Sequence, residues 1–227
     1  RWLVSYRTRL GAAMTDVTAN AFGGARPGVS ASIVHQTEQD WLFYTDTAVR
    51  RGRALQAVSA ADGSGAFTIL PREDEKYVIE TTLGTGYTFG NGLSANLEWT
   101  HLGGGLSGSE WANFTDAVSA NSPPTSTASA QRLAELRAMA NHSELRRDYL
   151  FLRLFQERFA GTKLQSQLVV LHGLEDGSGS AALRLEYPFT PETSAWLYLN
   201  RRYGGSKDEF IQRTERGTVS LGLVHRF

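Results

Sequence analysis

Apolar and polar residues alternate one to one along much of this chain, in short runs separated by turn-forming residues. Successive side chains of a strand point to opposite faces, so such runs predict two-faced β-strands. In residues 93–101, Leu93, Ala95, Leu97 and Trp99 alternate with Ser94, Asn96, Glu98 and Thr100. In residues 217–227, Val219, Leu221, Leu223, His225 and Phe227 share one face, and Thr218, Ser220, Gly222, Val224 and Arg226 the other. Similar patterns cover residues 1–10, 29–36, 40–50, 75–89, 162–172, 181–189 and 194–203. The run at 148–159 is apolar on both sides, which fits either a strand or a buried helix. With it, the pattern predicts about ten strands.

The connections alternate in length. Long ones fall at 11–28, 51–74 and 102–147, and short ones at 37–39, Asn91-Gly92, Ala160-Gly161 and 190–193. A short Gly-rich stretch at 173–180 and the loop at 204–217 complete the series. Asn-Gly suits a tight hairpin, because both central positions of that turn need positive φ. Bacterial transmembrane barrels segregate short periplasmic turns from longer external loops in this way. No apolar stretch reaches the roughly eighteen residues of a spanning helix. A closed barrel is the other structure that satisfies every backbone group in lipid. The 102–147 connection holds one helix candidate. Pro123-Pro124 precedes possible caps at Thr125, Ser126 and Thr127, and Ala130, Leu133, Ala134, Leu136 and Met139 form an apolar stripe that stops near Asn141.

The alternation that closes on Phe227 resembles the terminal strand of bacterial outer-membrane β-barrels. The resemblance implies an all-β fold, an antiparallel transmembrane β-barrel occupying residues 1–227 as a single domain in the outer membrane, with a periplasmic carboxy terminus. It also implies that Val219, Leu221, Leu223, His225 and Phe227 form a signal read by the assembly machinery, and that outer-membrane lipid and lipopolysaccharide surround the wall. Strand-like patterning starts at once with Trp2, Val4 and Tyr6, so this barrel could be the carboxy-terminal part of a larger one. The 102–147 connection is similar, by position alone, to the constriction loop of general porins. On that likeness Arg132, Leu133, Leu136, Arg137 and Met139 are constriction candidates. A helix packed on the barrel rim is the competing reading.

Charge adds an exclusion: 23 Lys and Arg balance 23 Asp and Glu, whereas nucleic-acid binders carry a basic excess. There is no cysteine. Charges on a lipid face cost about 2–4 kcal/mol each near the midplane. Parity then turns Asp46, Lys76, Glu80, Glu98, Arg153, Glu157, Lys163, Gln167, Arg184 and Glu186 inward as pore-lining candidates. They fit either a paired network that fills the lumen or the lining of a wet channel. Trp2, Trp41, Phe189, Trp196 and Phe227 fall near periplasmic strand ends, and Trp99 and Tyr203 near external ones. Trp196 and Tyr198 share the inward parity. A hydrolase would need a base near a nucleophile, but Ser166 lies about 20 Å along the strand from His172, and Ser107, Ser109 and Glu110 follow His101 without a recognisable motif. The five histidines are scattered. Glu175-Asp176 and Asp208-Glu209 are candidates only for loop-bound divalent ions. The expectation is a non-enzymatic channel, without metal or cofactor, for passive passage of small polar solutes. The alternative is a structural or binding barrel whose external loops contact a protein, polysaccharide or lipid. A homo-oligomer is compatible with either.

Overall fold

The computed structural model describes residues 2–10, 14–53, 55–71, 73–142, 144–213 and 215–226. The strands are β1 (Trp2–Leu10), β2 (Met14–Gly23), β3 (Gly28–Gln36), β4 (Trp41–Arg51), β5 (Tyr77–Thr88), β6 (Leu93–Leu102), β7 (Asp148–Gln156), β8 (Gln165–Gly173), β9 (Gly179–Pro188), β10 (Thr193–Tyr203) and β11 (Gly217–His225). Each pairs antiparallel with the next, in one sheet that follows chain order. Their lengths, 9 to 12 residues, suit strands that cross a bilayer at a tilt. The fold is therefore the all-β membrane-barrel sheet that the patterning predicts. Among the described residues the sheet is open, with β1 and β11 each bonded on one side only.

The strand count exceeds the expected ten because β2 lies inside 11–28, read from the sequence as a loop. Its residues are mostly small and alternate weakly, but pairing with both β1 and β3 supplies what propensity lacks. The added strand reverses β1. Trp2 therefore sits at the long-connection end, not at the short-turn end. The ambiguous 148–159 run is strand β7. Strand limits also fall short of those expected, so Lys76, Glu157 and Lys163 lie in connections rather than in the wall. Phe227 lies outside the described residues, whereas Val219, Leu221, Leu223 and His225 share one face of β11.

Register makes the two faces continuous. One ladder row runs Tyr87, Ala95, Leu154, Leu168, Leu183, Leu199, Val219. The adjacent row runs Gly86, Asn96, Arg153, Val169, Ala182, Asn200, Thr218. A one-residue slip would exchange the faces, so the contrast between them specifies the register. The apolar face is bare, with Leu221 79% exposed. Its strand-borne charges, Arg51, Asp148 and Arg201, all stand at the long-connection end. Four histidines mark its rims, each against a polar neighbour: His35 on Thr15 (2.7 Å), His225 on Thr193 (2.8 Å), His101 on Asp148 (2.9 Å) and His172 on Tyr203 (3.0 Å). At the short-turn end Trp41 stacks on Phe43 and packs on Tyr87, which meets Phe89 edge-on, as in an interfacial aromatic girdle.

Two helices, not one, occupy the longest connection: α1 (Gly108–Ala120) and α2 (Thr127–His142). A single turn, α3 (Glu209–Gln212), lies between β10 and β11.

Candidate functional site

The only apolar core among the described residues lies beyond the sheet, at its long-connection end. Ala57 and Val58 come from the connection between β4 and β5. Leu106, Trp111, Phe114, Ala117, Leu136, Ala140 and Leu145 come from that between β6 and β7. Ser107 starts α1 with a capping box. Its side chain accepts from the Glu110 N–H, and the Glu110 carboxylate accepts from the Ser107 N–H at 2.7 Å. Ser107 and Glu110, which sequence reasoning weighed near His101 as chemistry, are thus a helix cap.

Arg53 ties the two connections together. Its guanidinium is buried and donates to the carbonyls of Gly104 (2.9 Å) and Gly105 (2.8 Å) and to the Glu110 carboxylate (3.0 Å). Burial alone would raise the Glu110 carboxyl. The Arg53 guanidinium and the Ser107 donors reverse that and hold it at about 2. Asn121, at the end of α1, donates to Gly65 (2.8 Å) and adds a second tie to the β4–β5 connection.

A second polar knot brings in the remaining connections. Glu209 of α3 is fully buried and accepts from the Tyr149 hydroxyl (2.6 Å), the Leu145 N–H (2.8 Å) and Arg213 (3.2 Å). Burial raises its pKa above the usual carboxylate value, and these donors offset only part of the rise. Asp176 accepts from the Glu209 N–H at 2.8 Å, and Glu175 pairs with Arg146 at 3.1 Å. The loop acids considered for divalent ions are therefore committed to internal partners. Among the described residues no group of three metal-ligating side chains gathers.

This cap sits over the polar face. Val78 and Tyr149, both of that face, are 4% and 2% exposed, whereas Tyr77 and Ile79 beside Val78 are 71% and 52% exposed. The cap also spans several strands laterally: Lys207, in the β10–β11 connection, pairs with Asp116 of α1 at 3.1 Å. Three long connections and the short β8–β9 one thus converge above one wall.

On that wall stand seven of the ten pore-lining candidates: Asp46, Glu80, Glu98, Arg153, Gln167, Arg184 and Glu186. Several are paired. Glu80 bonds Arg50, and Arg184 donates to Glu186 at 2.8 Å, which also accepts from Ser194 at 3.0 Å. Glu98 is brought to Tyr44 (2.5 Å) across Gly84, not to Arg153 on the next strand. Arg153 lies over Phe155 instead. Arg184 lies over Trp196, which places Trp196 on the polar face. A polar trough of about 280 Å³ runs past Asn20, Ser30, Asp46, Glu80 and Thr100.

The constriction candidates are placed in α2. Leu133 and Leu136 are buried in the cap and Met139 packs on its core. Arg132 reaches the Ser64 carbonyl at 3.4 Å. Only Arg137 lines an open cleft. Sequence reasoning missed Arg53, Tyr149 and the part of Glu209 in joining connections. The capping-box spacing Ser107-x-x-Glu110 was the one local signal for α1.

No known family profile matches the chain, and no curated protein matches it. Two solved structures do: OmpT, an outer membrane protein of Vibrio cholerae, folded in vitro, and its loop L8 deletion mutant. Each is 11% identical, covers 98% of this chain and superposes with a TM-score of 0.48. The chain spans 63% of the length of the former and 62% of the latter.

Proposed function

We propose that this protein is a porin-like, non-enzymatic channel of the bacterial outer membrane, through which small polar solutes pass passively. The observation that carries this reading is the pairing of a bare apolar face with a polar face that bears charges of both signs. A wall of that kind separates lipid from water. The cap then narrows one mouth of the polar side. In this reading the short turns and the carboxy terminus face the periplasm, lipopolysaccharide meets the rim of the long connections, and the assembly machinery reads the outer face of β11.

The test is conductance in planar bilayers. The folded protein gives discrete steps, and replacing residues 108–142 by a short Gly-Ser linker enlarges them. A folded, membrane-inserted protein with no conductance overturns the reading. The packed core of the cap favours one other function, a binding barrel whose joined connections hold an external partner. That reading predicts the silent outcome.

A further inference from the structure

A cleft of about 440 Å³ opens between the end of α1, α2 and the β10–β11 connection. Four cations line it, namely Arg137, Lys207, Arg213 and Arg216, and no carboxylate does. Two of the four have partners outside the lining: Lys207 pairs with Asp116 and Arg213 with Glu209. No described carboxylate forms an ion pair with Arg137 or Arg216. The rest of the wall is polar, with Ser119, Ser122, Ser206 and Gln212. The carbonyl end of α1 contributes about half a negative charge, which the guanidinium charges of Arg137 and Arg216 outweigh.

We infer that this cleft binds the phosphate group of a small solute. Guanidinium groups are weakly hydrated and match the geometry of a phosphate with parallel N–H donors. A concave site lowers the solvent screening that would weaken such contacts on an open surface. The volume lies within the range of small-molecule sites and is too small for a polymer. Arg216 shares the parity of Thr218, on the polar face, and its carbonyl accepts from the Arg202 N–H at 2.9 Å. The cleft therefore adjoins the path that the channel reading assigns to solutes. The inference deepens that reading and rests on it for the solute's destination.

The experiment is calorimetric titration of the detergent-solubilised full chain with inorganic phosphate at low ionic strength. Wild type binds, and the Arg137→Gln/Arg216→Gln double variant loses at least about tenfold in affinity. Neither residue pairs with a described carboxylate, so the variant keeps its structure. An Arg7→Gln/Arg9→Gln variant on the distant β1 binds as wild type does. Absence of phosphate binding in wild type, or unchanged affinity in the first variant, overturns the inference. A second arm uses lipopolysaccharide micelles. Binding to these that needs Arg137 and Arg216, without binding of inorganic phosphate, overturns the assignment to a solute in favour of a lipid headgroup. Equilibrium binding does not depend on conductance. A silent protein that binds phosphate refutes the channel alone, and a conducting one that does not bind refutes this site alone.

Discussion

Arg53 meets two carbonyls and a carboxylate at once, with its side chain only 7% exposed. Removing it would strand those acceptors in the cap. Breaking a buried pair from one side typically costs about 3–5 kcal/mol. Arg53→Ala should therefore open the cap to protease while the strands stay protected, and unchanged cleavage of residues 103–147 would refute the role given to it. The two cap carboxylates respond to pH in opposite senses. Glu110 is depressed to about 2 from its usual 4.5. Its contribution is complete above pH 4.5 and is lost as pH falls toward 2. Glu209 is raised above 4.5, first by burial. Its contribution is complete below pH 4.5 and is lost as pH rises through the folded value. Hydrogen exchange of α3, corrected for intrinsic rates, should quicken as pH climbs from 4.5. Glu209→Gln, which keeps an acceptor but cannot ionise, should flatten that rise.

A strand in this wall is defined by which face each residue takes, and that is where substitutions separate most sharply. Leu197 sits between Leu185 and Leu221 on the apolar face. Leu197→Arg should cost about 2–4 kcal/mol of folding into vesicles. Tyr198→Arg, one position along and on the polar face, should cost far less; equal costs in urea titrations would mean that the faces are misassigned. Glycines act at this scale by making room. The Tyr44 ring crosses Gly84 to reach Glu98, and a Cβ there would lie 2.2 Å from the ring. Gly222 receives Trp196 in the same manner. Gly84→Leu should displace Tyr44 and destabilise by about 1–3 kcal/mol. Strands with full alternation, β6 and β11 above all, were legible from sequence because period two is a local property. The strand β2 was not, because Ala19, Asn20 and Ala21 take their extended form from neighbours on both sides. Nor was the cap, whose core joins Val58 to Phe114 and whose polar knot joins Tyr149 to Glu209 over long separations that no local pattern records. Which residues share the polar face was readable in advance, but their partners there were not: Glu98 faces Tyr44 from a strand two places away.

Edges govern the molecule as a whole. In an up-and-down meander each strand reverses the one before it, so β1 and β11, with nine strands between them, run in the same direction. Direct closure of one on the other would be a parallel pair, in a sheet whose every other pair is antiparallel. Leaving the two edges open in lipid is no remedy, since each unsatisfied backbone group there costs several kcal/mol. The apolar face of both edge strands is bare, with Tyr6 67% and Leu221 79% exposed, like the rest of that face. Antiparallel closure needs an odd number of further strands between β1 and β11, which would also restore the even count usual in bacterial barrels. Cysteines introduced at Tyr6 and Leu221 test this directly. In the folded protein they should not form an intramolecular disulfide, because no pairing joins β1 to β11 and a disulfide needs Cα atoms within about 7 Å. A rapid, quantitative disulfide within one chain would instead establish a parallel β1–β11 seam and an eleven-strand barrel that closes on itself.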